Sequence, residues 1–370
     1  MRVVICGAGV VGASIAYFLS LRGIATTVVD RCGIAAAASG KSGGFLALDW
    51  CDGSPLAPLA HASFALHAEL ARSLETDYGY RTMDTYYVEA REQGPVARSR
   101  ATPEWLDGRC AVRRVLGTPR TTAQVHPEKF THALIEAAEA QGTTLQIGRI
   151  ERVTVSDKPN GAHSVIVDGE AILADVVVVA MGPWSTKTAE WLPLPPVGGL
   201  KGESITIRPI RDVPAHALFA EYQTSRGEHY SPEVFPRPDG EVYLCGMPDT
   251  SPVPDDPTQV EVNMDACDRL QQLAASFSSS LVGAQRTRSQ ACYRPICADG
   301  LPLLGKVPTV RGAYVATGHN CWGILNAPAS GLAMAELIVD GHSQTIDLSP
   351  FNPARLMGHS ASTARPESTW

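Results

Sequence analysis

VVICGAGVVGASIAYFLSLRGIATTVVD, residues Val3 to Asp30, reads as strand, glycine turn, helix and second strand, and the rest of the chain is organised around it. Val3, Val4 and Ile5 form a short apolar run of the kind that makes a buried parallel strand. Gly7, Gly9 and Gly12 follow with the GxGxxG spacing at the mouth of a helix. Gly7 suits the tight turn, Gly9 keeps bulk away from a pyrophosphate, and Gly12 lets the helix lie close on the strand. The helix N-terminus carries partial positive charge and stabilises a phosphate without a basic side chain. Thr26 to Val29 predict the second strand, and Asp30 at its carboxyl end is placed to accept a hydrogen bond from a ribose hydroxyl. GxGxxG alone is weak; the flanking strands and the acid at the expected distance give it weight.

The 370 residues suffice for two domains or one large composite one. An apolar fraction of 44% with 19% charged residues is that of a soluble globular chain with an ample core. A net charge of −7 and the lack of a Lys/Arg cluster argue against a nucleic-acid surface. No apolar run of spanning length is read in the sequence, so no membrane association is expected. Nine cysteines, an odd number without a CxxC pair, speak against a disulfide framework or a metal site and for a reducing compartment, cytoplasm or organelle matrix. The first strand begins at Val3, which is expected to leave no room for a targeting peptide.

After Asp30 comes RCGIAAAASGKSGGFLAL, in which Ser39, Gly40, Ser42, Gly43 and Gly44 allow a ligand to approach the backbone. His61 to Leu74 has helical apolar spacing, and Tyr78 to Gly117 reads as short strands and polar turns. Pro127 opens a helix with Phe130, Leu134 and Ala138 on its apolar face and Gly142 as its stop. Leu145 to Ile147 and Arg152 to Val155 are expected strands, and Asp175 to Ser185 a buried strand broken by Gly182 and Pro183. Residues 200 to 290 read as a mainly β unit, with Ser204 to Ile207 and Val242 to Leu244 as strands and Val262 to Phe277 as a helix. Ala313 to Thr317 is an expected strand and Ala327 to Val339 a helix, and beyond Pro353 the Ser/Thr/Ala/Pro-rich tail is expected to fray.

Taken together, GAGVVGASIAYFLS with Asp30, ASGKSGG, QVHPEKF, VVVVAMGPWS, and RPICADGLPLLG with ATGHNCWGILNAPASG resemble the D-amino acid oxidase superfamily of FAD-dependent oxidoreductases. The branch they resemble most is that of glycine oxidase and the related plant and fungal oxidoreductases. The resemblance implies an α/β fold: a Rossmann-type, three-layer FAD domain assembled from residues 1–80, 123–197 and 292–352, a β-rich substrate domain from 81–122 and 198–291, and a flexible tail, 353–370. It implies that Gly7, Gly9, Val10, Val11, Gly12, Asp30 and Arg31 hold the ADP half of FAD. Ala38, Ser39, Gly43, Gly44, Phe45 and Gly182 would lie along the pyrophosphate and ring system, with Ile150 at the adenine side. Gly318, His319, Asn320, Gly323, Ile324 and Leu325 would wrap the flavin ring.

In the same resemblance Arg294, in the RP motif, takes the carboxylate of an amine substrate, a task that suits a guanidinium because its fork meets a carboxylate with two parallel hydrogen bonds. Cys321 and Trp322 stand where the glycine-oxidase pattern carries a second arginine. Glu233, with Tyr230 three residues earlier, stands where that pattern has a tyrosine. These departures point away from glycine toward an amine of different charge or size, with Arg294, Tyr230, Cys321 and Trp322 as the expected substrate contacts. The implied chemistry is hydride transfer from the substrate carbon to flavin, and His319 is read as structural or flavin-contacting, not as a base. Three other readings stand beside it. The opening unit alone fits NAD as well as FAD, the substrate class extends to 2-hydroxy acids, and a FAD-bearing assembly factor without turnover shares the same motifs. Cys292 is either a covalent flavin anchor, as in sarcosine-oxidase-like relatives, or a packed small hydrophobe. The sequence leaves the oligomeric state open.

Overall fold

The computed structural model describes residues 1–156 and 163–357. Its first layer is a six-stranded sheet in the order Leu303–Lys306, Ala313–Thr317, Val176–Val179, Val3–Cys6, Thr26–Asp30 and Thr144–Ile147. All pairs are parallel except the first, which is antiparallel. Val3–Cys6 and Val176–Val179 are buried throughout because helices and a second small sheet cover both faces, which is why each reads as an unbroken apolar run. The helix Val10–Ser20 is buried at ten of its eleven residues. It lies between the sheet, the helix Pro127–Glu139 and the C-terminal helix Gly323–Asp340. A Cβ on Gly12 would collide with the Gly7 carbonyl, and one on Gly331 would press on Ser14, so both contacts need a bare Cα.

The second layer is an eight-stranded, mainly antiparallel sheet. It runs from Gln285–Ile296 through Gly198–Arg208, Val242–Asp249, Glu233–Pro236, His216–Gln223 and Asp84–Arg91 to Cys110–Gly117, with His229–Tyr230 paired to the side. The pair Asp84–Arg91 and His216–Gln223 is its parallel exception. The helix Met264–Ala275, capped by Asn263 Oδ1 on Ala266 N–H, closes one face with Cys267, Leu270, Leu273 and Ala274.

The C-terminal helix departs from expectation. It starts at Gly323, four residues before Ala327, and carries Pro328 inside. Pro328 has no N–H for the Ile324 carbonyl, which would ordinarily lie four residues back in the ladder. The helix Ala57–Ser73 repairs the gap. His67 Nε2 lies 3.0 Å from the Ile324 carbonyl and 3.2 Å from that of Leu325, and Ser63 Oγ accepts from Ala329 N–H at 2.9 Å. With its short opening turn this helix, Asn320–Asp340, is long and apolar enough to cross a bilayer, contrary to the sequence reading. It is mostly buried against the helices Val10–Ser20 and Ala57–Ser73, as a core helix is. Two smaller corrections follow. Asp175–Ser185 divides into a strand ending at Val179 and a 3-10 segment from Gly182, and Pro353–Leu356 forms a 3-10 turn with Pro353 and Leu356 buried, not a frayed end. Arg355 pairs with Asp299 at 2.7 Å and Leu356 is buried, while the tail from residue 358 lies outside the described residues.

Candidate active site

The helix Val10–Ser20 opens onto a cavity of about 2550 Å³ lined from both sheets. At its dinucleotide end Gly7 turns with φ +114°, where a Cβ would strike the Ala180 carbonyl. A Cβ on Gly9 would come 3.1 Å from Ser39 Oγ, which accepts the Val10 N–H at 2.9 Å. Asp30 Oδ2 accepts Ala8 N–H at 2.8 Å, and Oδ1 accepts Cys32 N–H and Gly33 N–H at 2.8 and 3.1 Å. The acid therefore fixes the turn around the cavity mouth as well as facing it, a task the sequence reading did not give it. Arg31 reaches across to the other domain and pairs with Asp256 at 3.2 Å. Val11, Ala38, Gly43, Ile150, Gly182, His319, Asn320, Gly323 and Ile324 also line the cavity.

Five expected cofactor residues do not line it. Gly12 lies under its helix; Gly44, with φ +76°, is pressed on the Val125 carbonyl; and Gly318, with φ +83°, is pressed on the Cys297 thiol. Leu325 is core. Phe45 joins a ring cluster with Phe235, Phe219 and Trp50. These residues shape the walls from behind. The group implied here, FAD, fits the residues present: a helix N-terminus with a bare glycine entrance, an acid at the second strand, and two buried polar atoms on the wall, Ser42 Oγ and Asn320 Oδ1, that have no hydrogen-bond partner among the described residues.

The substrate end is built on the large sheet. Tyr87, Phe219, Glu233 and Cys245 stand opposite one another on four adjacent strands, and all four line the cavity. Arg294 and Cys292 come from the edge strand Gln285–Ile296. From the other domain come Trp50, Cys321 and Trp322, with the indoles of Trp50 and Trp322 edge-on at 6.3 Å. No ion pair involves Arg294 or Glu233 among the described residues. Burial pushes the Glu233 carboxyl up, Arg294 pulls it back, and Cys245 Sγ lies 3.4 Å from Oε2. Desolvation by the surrounding walls pushes the thiols of Cys292 and Cys321 up to about 11, although Cys321 is exposed on the cavity side. Tyr230 lines the cavity, but its ring carries the Arg269 guanidinium at 4.7 Å, which ties it to the sheet.

His319 is buried, pulled down to about 4, and lies 3.0 Å from Ser330 Oγ, so near pH 7 it is a neutral structural group. Lys201 is locked between Glu203 at 3.0 Å and Asp249 at 3.4 Å, and Lys41 Nζ donates to the Ala291 carbonyl, whereas Arg294 and Arg114 line the cavity without an ion pair among the described residues. Sequence reasoning missed Trp50, Tyr243 and Cys245. Trp50 closely follows the small-residue run and was the one with a local signal; the two strand residues face the cavity only through pairings distant in sequence.

A dinucleotide-binding domain assembled from separated segments, facing an antiparallel sheet across one shared cavity, defines a class: the two-domain flavoprotein oxidoreductases. The chain belongs to the FAD dependent oxidoreductase family, DAO, whose model matches residues 2–337. It is thus a FAD-dependent enzyme. A Schizosaccharomyces pombe protein named as an oxidoreductase, C1F5.03c, is 33% identical over 94% of this chain and 97% of its own length. Glycine oxidase of Geobacillus kaustophilus is 28% identical over 96% of this chain and 97% of its own. The crystal structure of glycine oxidase from that organism superposes with a TM-score of 0.78 at 25% identity, covering 96% of this chain and 99% of the other. The structure of iminodiacetate oxidase from Chelativorans shares the fold at 21% identity and a TM-score of 0.73, covering 95% and 99%.

Proposed function

We propose that the enzyme oxidises the C–N bond of an amine that carries a carboxylate. The observation that carries this reading is Arg294, a guanidinium on the cavity wall that makes no ion pair among the described residues. A half-buried guanidinium facing a cavity is a site for an anion, and the planar fork favours a carboxylate. The likeness to glycine oxidase over nearly the whole chain supports an amino-acid-like substrate. FAD, when bound, accepts the hydride and hands the electrons to oxygen or another acceptor. The chain's own residues orient: Arg294 fixes one end of the substrate, while Trp50, Trp322 and Phe219 exclude water around it. His319, neutral and tied to Ser330, takes no proton from the substrate.

The test is anaerobic bleaching of the flavin absorbance by amino acids, N-methyl amino acids and 2-hydroxy acids. Amines carrying a carboxylate should bleach it, and Arg294→Ala should cost about 2–5 kcal/mol in kcat/KM for them. Arg294→Lys should recover part of that, because an ammonium cannot make the fork. Bleaching by hydroxy acids alone, or by none of the three classes, overturns the reading.

A further inference from the structure

We infer that Arg237, which does not line the cavity, is a positioning residue for the oxidation: it ties the Ser42 carbonyl, and with it the stretch Ser39 to Gly43, to the sheet that carries the substrate wall. The inference rests on the reading that FAD lies along that stretch. Arg237 stands in the turn between the strands Glu233–Pro236 and Val242–Asp249, where its N–H donates to the Glu241 carbonyl at 2.7 Å and its own carbonyl accepts Gly240 N–H at 3.1 Å. The side chain folds back into the protein and the residue is 5% exposed. Its guanidinium carbon lies 5.2 Å from the centre of the Tyr243 ring, and Nη2 donates to the Ser42 carbonyl at 2.9 Å. Nε has no hydrogen-bond partner among the described residues. The acids within its electrostatic reach, Asp239 and Glu241, approach Lys129 and Arg208 instead, each at 3.9 Å. A guanidinium buried in this way is costly, and the bond that sets against the cost goes to the flavin-facing stretch.

That stretch is fastened at neighbouring atoms as well. The Lys41 carbonyl accepts from Tyr243 Oη at 3.1 Å, from Gln290 Nε2 at 3.2 Å and from Ser204 Oγ at 3.4 Å, all three on the large sheet. Gly43 lies so near the Phe235 ring that a Cβ there would strike it. At one end Ser39 Oγ accepts Val10 N–H, and at the other the Gly44 carbonyl accepts Val125 N–H at 3.0 Å, so the dinucleotide-binding layer holds both ends and the large sheet holds the middle. Among the ties to the middle, the one from Arg237 is charge-assisted, about twice as strong as its neutral neighbours. Ser42 and Gly43 line the cavity, and Tyr243, Glu233 and Arg294 line it from the sheet. A shift of Ser42 against the sheet therefore moves what Ser42 and Gly43 hold against the substrate. A misplacement of about 1 Å can cost on the order of a hundredfold in rate, so this tie acts on the chemical step more than on binding.

The test compares Arg237→Gln, Arg237→Lys and Gln290→Met with the unaltered enzyme, all loaded with FAD. Two readouts are taken: the visible circular dichroism of the bound flavin, which needs no substrate, and anaerobic bleaching by the amine of the screen above that bleaches fastest. Arg237→Gln should change the circular dichroism and lower the limiting bleaching rate at least about tenfold, with the half-saturating amine concentration moved by less than about threefold. Arg237→Lys should recover part of both, because an ammonium can still donate to the Ser42 carbonyl and lie over the Tyr243 ring. Gln290→Met removes one donor from the Lys41 carbonyl and should shift both readouts in the same direction by less. The double variant of Gln290→Met with Arg237→Gln should lose less rate than the product of the two singles, as ties on one segment do. An unchanged dichroism in Arg237→Gln, a loss confined to half-saturation, or Arg237→Lys no better than Arg237→Gln overturns the inference. If Arg237→Gln yields no folded protein, Gln290→Met decides, and unchanged dichroism there overturns it. The reading beneath it fails by a different observation, flavin retained in full by Gly9→Val, which would place the cofactor elsewhere whatever the Arg237 variants do.

Discussion

Lys201 and Arg294 stand on neighbouring strands near one cavity, and a single pair of variants separates the cation that holds the fold from the cation that holds a ligand. Lys201 is 6% exposed and Glu203 1%, with Nζ 3.0 Å from Oε1. Lys201→Met leaves Glu203 with one long contact, from Asn263 N–H at 3.4 Å, and an uncompensated buried charge. Asp249 adds little to the loss, because it is partly open and keeps both the N–H and Oγ of Ser251. The expected destabilisation is about 3–5 kcal/mol, the range for breaking a buried pair from one side. Replacing both partners, Lys201→Met with Glu203→Leu, should return stability to within about 1 kcal/mol of the original, since no charge is stranded. Urea unfolding at saturating FAD, compared at unchanged m, measures both. Lys201→Met should keep its affinity for carboxylate ligands, whereas Arg294→Ala should lose affinity and keep its stability. A single variant costing under about 1 kcal/mol, or one that loses carboxylate binding while unfolding normally, would refute the assignment of the two cations.

Gly9→Val places a β-branched side chain in the space between the helix mouth and Ser39, and should yield folded protein without FAD; one flavin per chain in the purified variant would show that the pyrophosphate lies elsewhere. His67→Leu strands the Ile324 carbonyl beside Pro328 and should cost about 1–3 kcal/mol in urea unfolding. In a Pro328→Ala background, where the restored N–H can serve that carbonyl, the same change should cost clearly less, and an equal cost would refute the repair. His319 is held down to about 4 by burial, below its ordinary 6.5, so the unfolded chain takes up a proton below 6.5 that the folded chain refuses. The stability this group contributes is complete above pH 6.5 and is lost as pH falls toward 4, at up to about 1.4 kcal/mol per pH unit. His319→Asn should flatten the pH dependence by that one proton, as read from unfolding curves between those limits.

What the sequence could tell was set by range. The opening strand, turn, helix and strand were legible because each contact that makes them lies within about thirty residues, and the glycines carry their reason locally. The buried run before Gly182 and the strand Ala313–Thr317 were legible as strands, though not as neighbours. Pro328 misplaced the start of the last helix, because the His67 and Ser63 groups that tolerate it are more than 250 residues away. Phe45, Gly44, Gly318 and Leu325 matched the family's cofactor motifs yet stand behind the wall, since a motif records which residues shape a site together with which ones touch it. Arg294 and Glu233 could be named from motif positions. That both line one cavity follows only from the order of the strands between them.

That strand order also bears on how the chain comes to be folded. Val3–Cys6 is made first, but its neighbour Val176–Val179 and the next strand, Ala313–Thr317, come far later, with two strands of the large sheet before the one and the rest between the two. Closing such long loops is entropically slow, and the part of the apolar surface of Val10–Ser20 not met by Pro127–Glu139 stays uncovered until Gly323–Asp340 arrives. A growing chain therefore carries a partly unsatisfied core through almost its entire synthesis, and a truncation that removes the last helix strips the first helix of part of its cover. Cellular supply of FAD would then govern how much enzyme accumulates as well as how much is active, because a cofactor that binds only the finished cavity draws late intermediates forward by mass action.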